Sequence, residues 1–149
     1  MPLSPLISVN MCVYRPHPVY FREAVQSILN QTFEDFELII VEDPSEVDGR
    51  EIISDLLSDK RIRYIHNEQR TGFCAQKNLA IQLSQGQYIA MMDADDISES
   101  NRLQLQFAHA EANPRIKVHG SALTIVDEEG RIIGFRKYPT EPEMVWKAM

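Results

Sequence analysis

The stretch that most constrains this chain runs from Gly86 to Ile97 and reads Gly-Gln-Tyr-Ile-Ala-Met-Met-Asp-Ala-Asp-Asp-Ile. Tyr88 to Met92 is short and almost wholly apolar, which suits a strand buried on both faces of a parallel sheet. Three carboxylates, Asp93, Asp95 and Asp96, follow at once. Each is charged at neutral pH, and crowding them at a strand end costs energy through like-charge repulsion. A divalent cation removes that cost, and Mg2+ commonly takes one or two carboxylates together with phosphate oxygens. The stretch therefore reads as a metal–diphosphate site. The alternative is a solvated acidic turn after a core strand.

The rest of the chain alternates between strand and helix periodicity. Leu6–Val13 predicts a first strand, ending at Tyr14-Arg15-Pro16, and Pro18 suits the first turn of a helix. Phe36–Val41 predicts a second strand with an acidic end, Glu42-Asp43-Pro44. Asp48 or Gly49 opens a helix with apolar positions at Ile52, Ile53, Leu56 and Leu57. Ile62–His66 predicts a third strand. Thr71 reads as the N-cap of a helix from Gly72 to about Gln85 that buries Phe73, Ala75, Leu79, Ala80 and Leu83, with Gly86 just past its end. Ser98 or Ser100 reads as the cap of a helix carrying Leu103, Phe107 and Ala110 on one face. Ile116–Val126 and Arg131–Lys137 predict two strands about the turn Asp127–Gly130, and Glu141–Met149 the start of another helix. Alternating strands and helices imply βαβ units and a mostly parallel, three-layer α/β/α Rossmann-like sheet. Ligands of such sheets bind at the carboxyl edge, where Tyr14, Asp43 and Asp93–Asp96 all fall.

Composition narrows the partners. With 149 residues the chain has the size of one domain. Its net charge of −7 and pI near 5.1 leave no basic stripe for nucleic acid, although a nucleotide held through a metal remains compatible. Cys12 and Cys74 form neither a metal-ligand spacing nor a disulfide framework, so reduced thiols in a cytoplasmic setting are expected. No stretch is long and apolar enough to span a bilayer, and no signal peptide is evident. A longer parent protein at the inner face of a membrane is compatible with both. His17, His66, His109 and His119 show no ligand spacing, and the six methionines read as core fillers.

Taken in order, Tyr14, Ser27-Ile28-Leu29-Asn30-Gln31-Thr32-Phe33, Phe36 to Asp43, Lys77-Asn78, Gly86 to Ile97 and Arg102-Leu103 resemble the inverting GT-A glycosyltransferases of family 2. The resemblance covers Ile7 to about Gly134. It implies a nucleotide-diphospho-sugar donor, most simply a UDP-sugar, a Mn2+ or Mg2+ cofactor, and a saccharide, lipid or protein acceptor. It implies that Tyr14 packs on uracil, that Cys12 offers backbone contacts, and that Asp43 receives the base N–H. Lys77 would approach the pyrophosphate, Asp93 the ribose and metal, and Asp95 would ligate the metal directly, with Asp96 orienting its neighbours. Each has a plainer reading: a sheet-edge cap for Tyr14, a turn former for Asp43, a solvated lysine, and a helix-terminal charge for Asp96.

The sequence departs from the family pattern in places. Glu42-Asp43-Pro44-Ser45-Glu46-Val47-Asp48-Gly49 is one residue longer than the usual Asp-Asp-Gly-Ser run with its Thr-Asp-Gly. Arg15-Pro16 replaces an Asn, and Lys77 replaces an Arg, which keeps the charge but loses a bidentate donor. The family's catalytic base lies well beyond the acidic motif. Here Glu128, Glu129, Glu141 and Glu143 sit in no recognisable base motif. The chain thus reads as a single donor-binding domain, the N-terminal part of a longer enzyme. Two other classes stay open: a nucleotide-binding module without turnover, and a nucleotidyltransferase. A phosphoryl-transfer domain with an aspartate nucleophile is disfavoured, because the first strand ends Val13-Tyr14-Arg15 without an acid.

Overall fold

The computed structural model describes residues 4–139. The chain divides after Leu105 into two compact units. In the first, β1 (Ile7–Val13), β2 (Phe36–Glu42), β3 (Ile62–His66) and β4 (Tyr88–Asp93) form a four-stranded parallel sheet in the order β3-β2-β1-β4. The helices are α1 (Pro18–Leu29), α2 (Gly49–Ile52) and α3 (Phe73–Leu83), with α4 (Arg102–Ala112) beginning in this unit. In the second unit, β5 (Leu123–Val126) and β6 (Ile132–Arg136) pair antiparallel. Their turn is held by the Asp127 carboxylate, which accepts the Glu129 and Arg131 N–H groups, while Gly130 takes φ +77°.

Side-chain alternation explains the two sheet faces. Ile39 and Val41 pack on Ala80, Leu79 and Leu83 of α3. Leu38 and Ile40, with their register partners Val9 and Met11 and with Val13, face the other way and are also buried; Phe21, Ala24, Val25 and Ile28 of α1 are buried too. On the α3 side β1 carries polar residues instead. Ser84 Oγ donates to Asn10 Oδ1 at 3.2 Å, and Gly86 N–H donates to Ser8 Oγ at 2.8 Å. A Cβ on Gly86 would fall 2.5 Å from the Ser8 nitrogen, so only glycine lets the chain enter β4 there. The buried Gln76 amide donates to the Val13 and Val41 carbonyls at 2.8 and 3.2 Å, fastening α3 to the carboxyl ends of β1 and β2.

Several expectations are corrected. Among the described residues β4 pairs on one side only, with β1, and it is not buried on both faces: Ile89 and Met91 are 45% and 37% exposed, and only Met92 is buried. The helix expected after Asp48 stops at Ile52. Arg22 Nη1 occupies the Ile52 carbonyl at 3.1 Å, and Leu56 N–H turns to Ile53 instead, so the chain proceeds in tight turns. Gly72, with φ +87°, is the N-cap of α3 in place of Thr71, and Phe73 and Ala75 are exposed. Helix α3 ends at Leu83, so Gly86 serves its close approach to Ser8 and not a cap. Neither Ser98 nor Ser100 abuts α4, which starts at Arg102. The strand expected over Ile116–Val126 forms only from Leu123. The helix expected over Glu141–Met149 lies outside the described residues.

Candidate functional site

Chain direction and register create the site. From β1 the sheet grows to β2 on one side and β4 on the other, so the β1/β4 seam is its topological switch point, where a crevice opens beyond the carboxyl ends. Cys12 pairs with Asp93 and Val13 with Glu42. Tyr14, Asp43 and Asp93 therefore leave three neighbouring strands side by side. A cleft of about 530 Å³ lies there, with Cys12, Tyr14, Asp43, Asp93 and Asp95 in its wall. Of the residues expected at a donor site, Lys77 and Asp96 are absent from that wall; Lys77 Nζ sits 4.2 Å over the Phe73 ring.

Asp43 is buried and saturated. Its carboxylate accepts from Asn67 Nδ2, Thr71 Oγ1, Thr71 N–H and Gly72 N–H at 2.7–2.9 Å. Those four bonds fill the lone-pair positions of a carboxylate. Burial pushes its pKa up, but the four bonds outweigh burial and hold it below the usual carboxylate range. Asp43 thus pins the Asn67–Gly72 loop against the strand ends.

That loop delivers a residue the sequence reading missed. Arg70 lies in the cleft wall, its guanidinium carbon 4.3 Å from the Tyr14 ring centre. Arg15, also in the wall, lies 5.2 Å from the same ring. Arg70 had a faint signal: a cation in a polar loop beyond a strand's carboxyl end. Arg15 takes φ +53°, the left-handed region that Asn tolerates better. Burial raises the half-buried Cys12 thiol; Lys77 lowers it, and Asp93 and Asp43 raise it further.

The acidic motif is electrostatically loaded. Asp96 has its pKa raised by burial, then by Asp93 and Asp95, with only Arg102 opposing. Arg102 Nη2 is fixed to the Met91 carbonyl at 2.8 Å. Crowded hard oxygen donors that resist ionising together fit a divalent cation. The segment after the motif is held by the end of α1 and the residues that follow it. The two N–H groups of Gln31 Nε2 are shared among Ser27 O, Ser98 Oγ and Glu99 O, and Gln31 Oε1 accepts Leu103 N–H at 3.0 Å. Ser98 N–H reaches Ser27 Oγ at 3.0 Å, and Thr32 N–H reaches Ser100 O at 2.8 Å. The Ser27–Phe33 motif is thus an anchor for the acidic loop.

Comparison with known proteins agrees with this architecture. Residues 8–147 match Glycosyl transferase family 2. An uncharacterized glycosyltransferase of Methanocaldococcus jannaschii is 42% identical over 132 residues, which are 87% of this chain and 46% of that protein. Among solved structures, S. aureus TarS 1–349 in complex with UDP-GlcNAc superposes with a TM-score of 0.67 at 22% identity, over 72% of this chain and 32% of that one. A mannosyltransferase of Pyrobaculum calidifontis in complex with GDP-Man and Mn2+ gives 0.66 at 16% identity, over 85% and 37%. These structures share the GT-A fold, and this chain spans less than half the length of each protein compared. With its parallel sheet, its carboxyl-edge cleft and a match running from β1 past β6, the chain belongs to glycosyl transferase family 2.

Proposed function

We propose that the cleft binds the nucleotide-diphosphate part of a sugar donor, a UDP-sugar in the simplest case, and that the longer protein transfers the sugar with inversion. The observation that carries this is the meeting of Tyr14, Arg70, Asp93 and Asp95 in one cleft at the switch point. Tyr14 offers a ring face for the base. Arg70 offers a planar two-pronged donor for phosphate oxygens, a role the sequence reading gave to Lys77. Asp93 and Asp95 would hold a Mn2+ or Mg2+ ion, which when bound supplies charge neutralisation at the departing diphosphate. Asp43 receives the N–H of the base, Thr71's rotatable hydroxyl being the donor that yields its place. Cys12 presents backbone to the nucleotide.

Inversion follows when an acceptor hydroxyl attacks the anomeric carbon from the face opposite the diphosphate. The acids in the cleft wall are Asp43, Asp93 and Asp95, all engaged otherwise, so the general base comes from another part of the protein. Both solved relatives named above were complexed with nucleotide sugars, one with Mn2+, which supports the donor class.

Calorimetric titration of UDP into the chain with and without Mn2+ tests this. Mn2+ should tighten UDP binding, UDP should tighten Mn2+ binding by the same factor, and Asp95→Ala should abolish the coupling. UDP should bind about tenfold or more tighter than CDP, which offers no N–H at that ring position. Metal-independent UDP binding that survives Asp95→Ala overturns the metal assignment. UDP binding without sugar transfer by the longer protein favours the module without turnover.

A further inference from the structure

A second cluster lies at the same sheet edge, outside the cleft wall. Glu42 ends β2, His66 ends β3, and the two are register partners, so their side chains share a face. Asp48 is the N-cap residue of α2, its Oδ1 accepting Arg50 N–H at 2.8 Å. One donor atom from each of the three lies within 4.8 Å of the others. We infer that Glu42, Asp48 and His66 form a site for a divalent transition-metal ion of the Zn2+ class, which clamps the β2–α2 loop to the end of β3.

Two observations carry this. Glu42 is a fully buried carboxylate whose hydrogen-bond donors are neutral: Gly49 N–H at 2.8 Å and the Tyr64 hydroxyl at 2.7 Å. A buried anion without a cation is costly. Its approach to His66 is the second. Nδ1 stands 3.5 Å from Glu42 Oε2, too long for a good N–H···O bond. Two ligands on one tetrahedral zinc, each at roughly 2.0–2.2 Å, stand roughly 3.3–3.5 Å apart. One imidazole and two carboxylates favour zinc over Mg2+ or Ca2+, which prefer all-oxygen shells. Three protein ligands leave the fourth position for water. The histidine was given no role from the sequence because its partners lie far away in the chain.

The test is ZnCl2 titration of the full chain near pH 7.5, by calorimetry and by melting temperature. An Asp95→Ala background weakens binding at the acidic motif. One equivalent should bind and raise the melting temperature. His66→Asn and Asp48→Asn should each weaken binding at least tenfold. Asn caps helices as well as Asp does, so Asp48→Asn keeps the fold and decides the matter if His66→Asn does not fold. Absence of zinc-dependent stabilisation, or equal affinity in the parent and the Asp48→Asn variant, overturns the site. Neither result bears on UDP binding in the cleft, which uses other residues.

Discussion

The side-chain nitrogen of Gln31 lies 3.2 Å from Ser98 Oγ, inside the protein and 67 residues apart in sequence. The same nitrogen also donates to Ser27 O and Glu99 O, and Gln31 Oε1 accepts Leu103 N–H, so this one amide ties the end of α1 to the segment following Asp96. Gln31→Leu roughly keeps the volume and removes both N–H donations and the acceptance from Leu103. It should cost about 2–4 kcal/mol, since each net bond contributes about 0.5–1.5 kcal/mol and buried partners are left unpaired. Urea unfolding measures the cost, and hydrogen exchange at the Leu103 amide should accelerate more than at Val9.

Asp43→Asn should loosen the Asn67–Gly72 loop, because an amide nitrogen would face N–H donors. Its carboxylate is depressed in the fold, so its contribution to stability is fully present above the ordinary value of about 3.9. That contribution is lost as pH falls through the lower folded value. The gap in urea midpoint between wild type and Asp43→Asn should therefore be constant from pH 5 to 8 and shrink below about pH 4.

The acidic motif should behave oppositely. Asp96 is raised in the fold by burial, then by Asp93 and Asp95, so its ionisation destabilises above the ordinary carboxylate value. Asp95→Asn should raise the metal-free melting temperature by about 1–2 °C at pH 7, a modest figure because these groups meet solvent. The gain should fade as pH falls from neutral through the raised value at which Asp96 takes up its proton, and be gone below about 4.

Gly86→Ala should be among the costlier single-methyl additions. The new Cβ meets the Ser8 nitrogen at 2.5 Å and the Ile7 carbonyl carbon at 2.8 Å, and backbone of a central strand does not yield cheaply. Roughly 1–3 kcal/mol is expected from thermal unfolding. Gly120→Ala is the control, because nothing lies within 4 Å of where its Cβ would stand.

Arg15→Asn should stabilise the metal-free chain by about 1 kcal/mol, since Asn tolerates the left-handed backbone that Arg15 adopts at φ +53°. The exposed Arg15–Glu46 pair it removes contributes little. Differential scanning calorimetry measures the shift.

What was legible in the sequence follows physical range. Apolar runs from Leu38 to Val41 and from Tyr88 to Met92 announce strands because their period is local. The acids after β4 announce a charged edge for the same reason. The exposure of Ile89 and Met91 was not legible, because burial depends on where a strand falls in the sheet order. Nor was the short α2, which is ended by Arg22 from another helix. The pinning by Asp43 of the loop that carries Arg70 and the meeting of His66 with Glu42 need register between strands, which side-chain spacing along one segment does not contain.

The pairing of Cys12 with Asp93 has a consequence for how the protein is made. β1 is a central strand, yet its two neighbours are synthesised at very different times. β2 follows within roughly 30 residues, whereas β4 leaves the ribosome roughly 80 residues later. At 5–20 residues per second that is about 4–16 s during which one edge of β1 waits unpaired. An open apolar edge is a template for the wrong partner. Nascent chains stalled before Gly86 should therefore recruit chaperones more than those stalled after Leu103, and the cleft is assembled only when its acidic wall arrives.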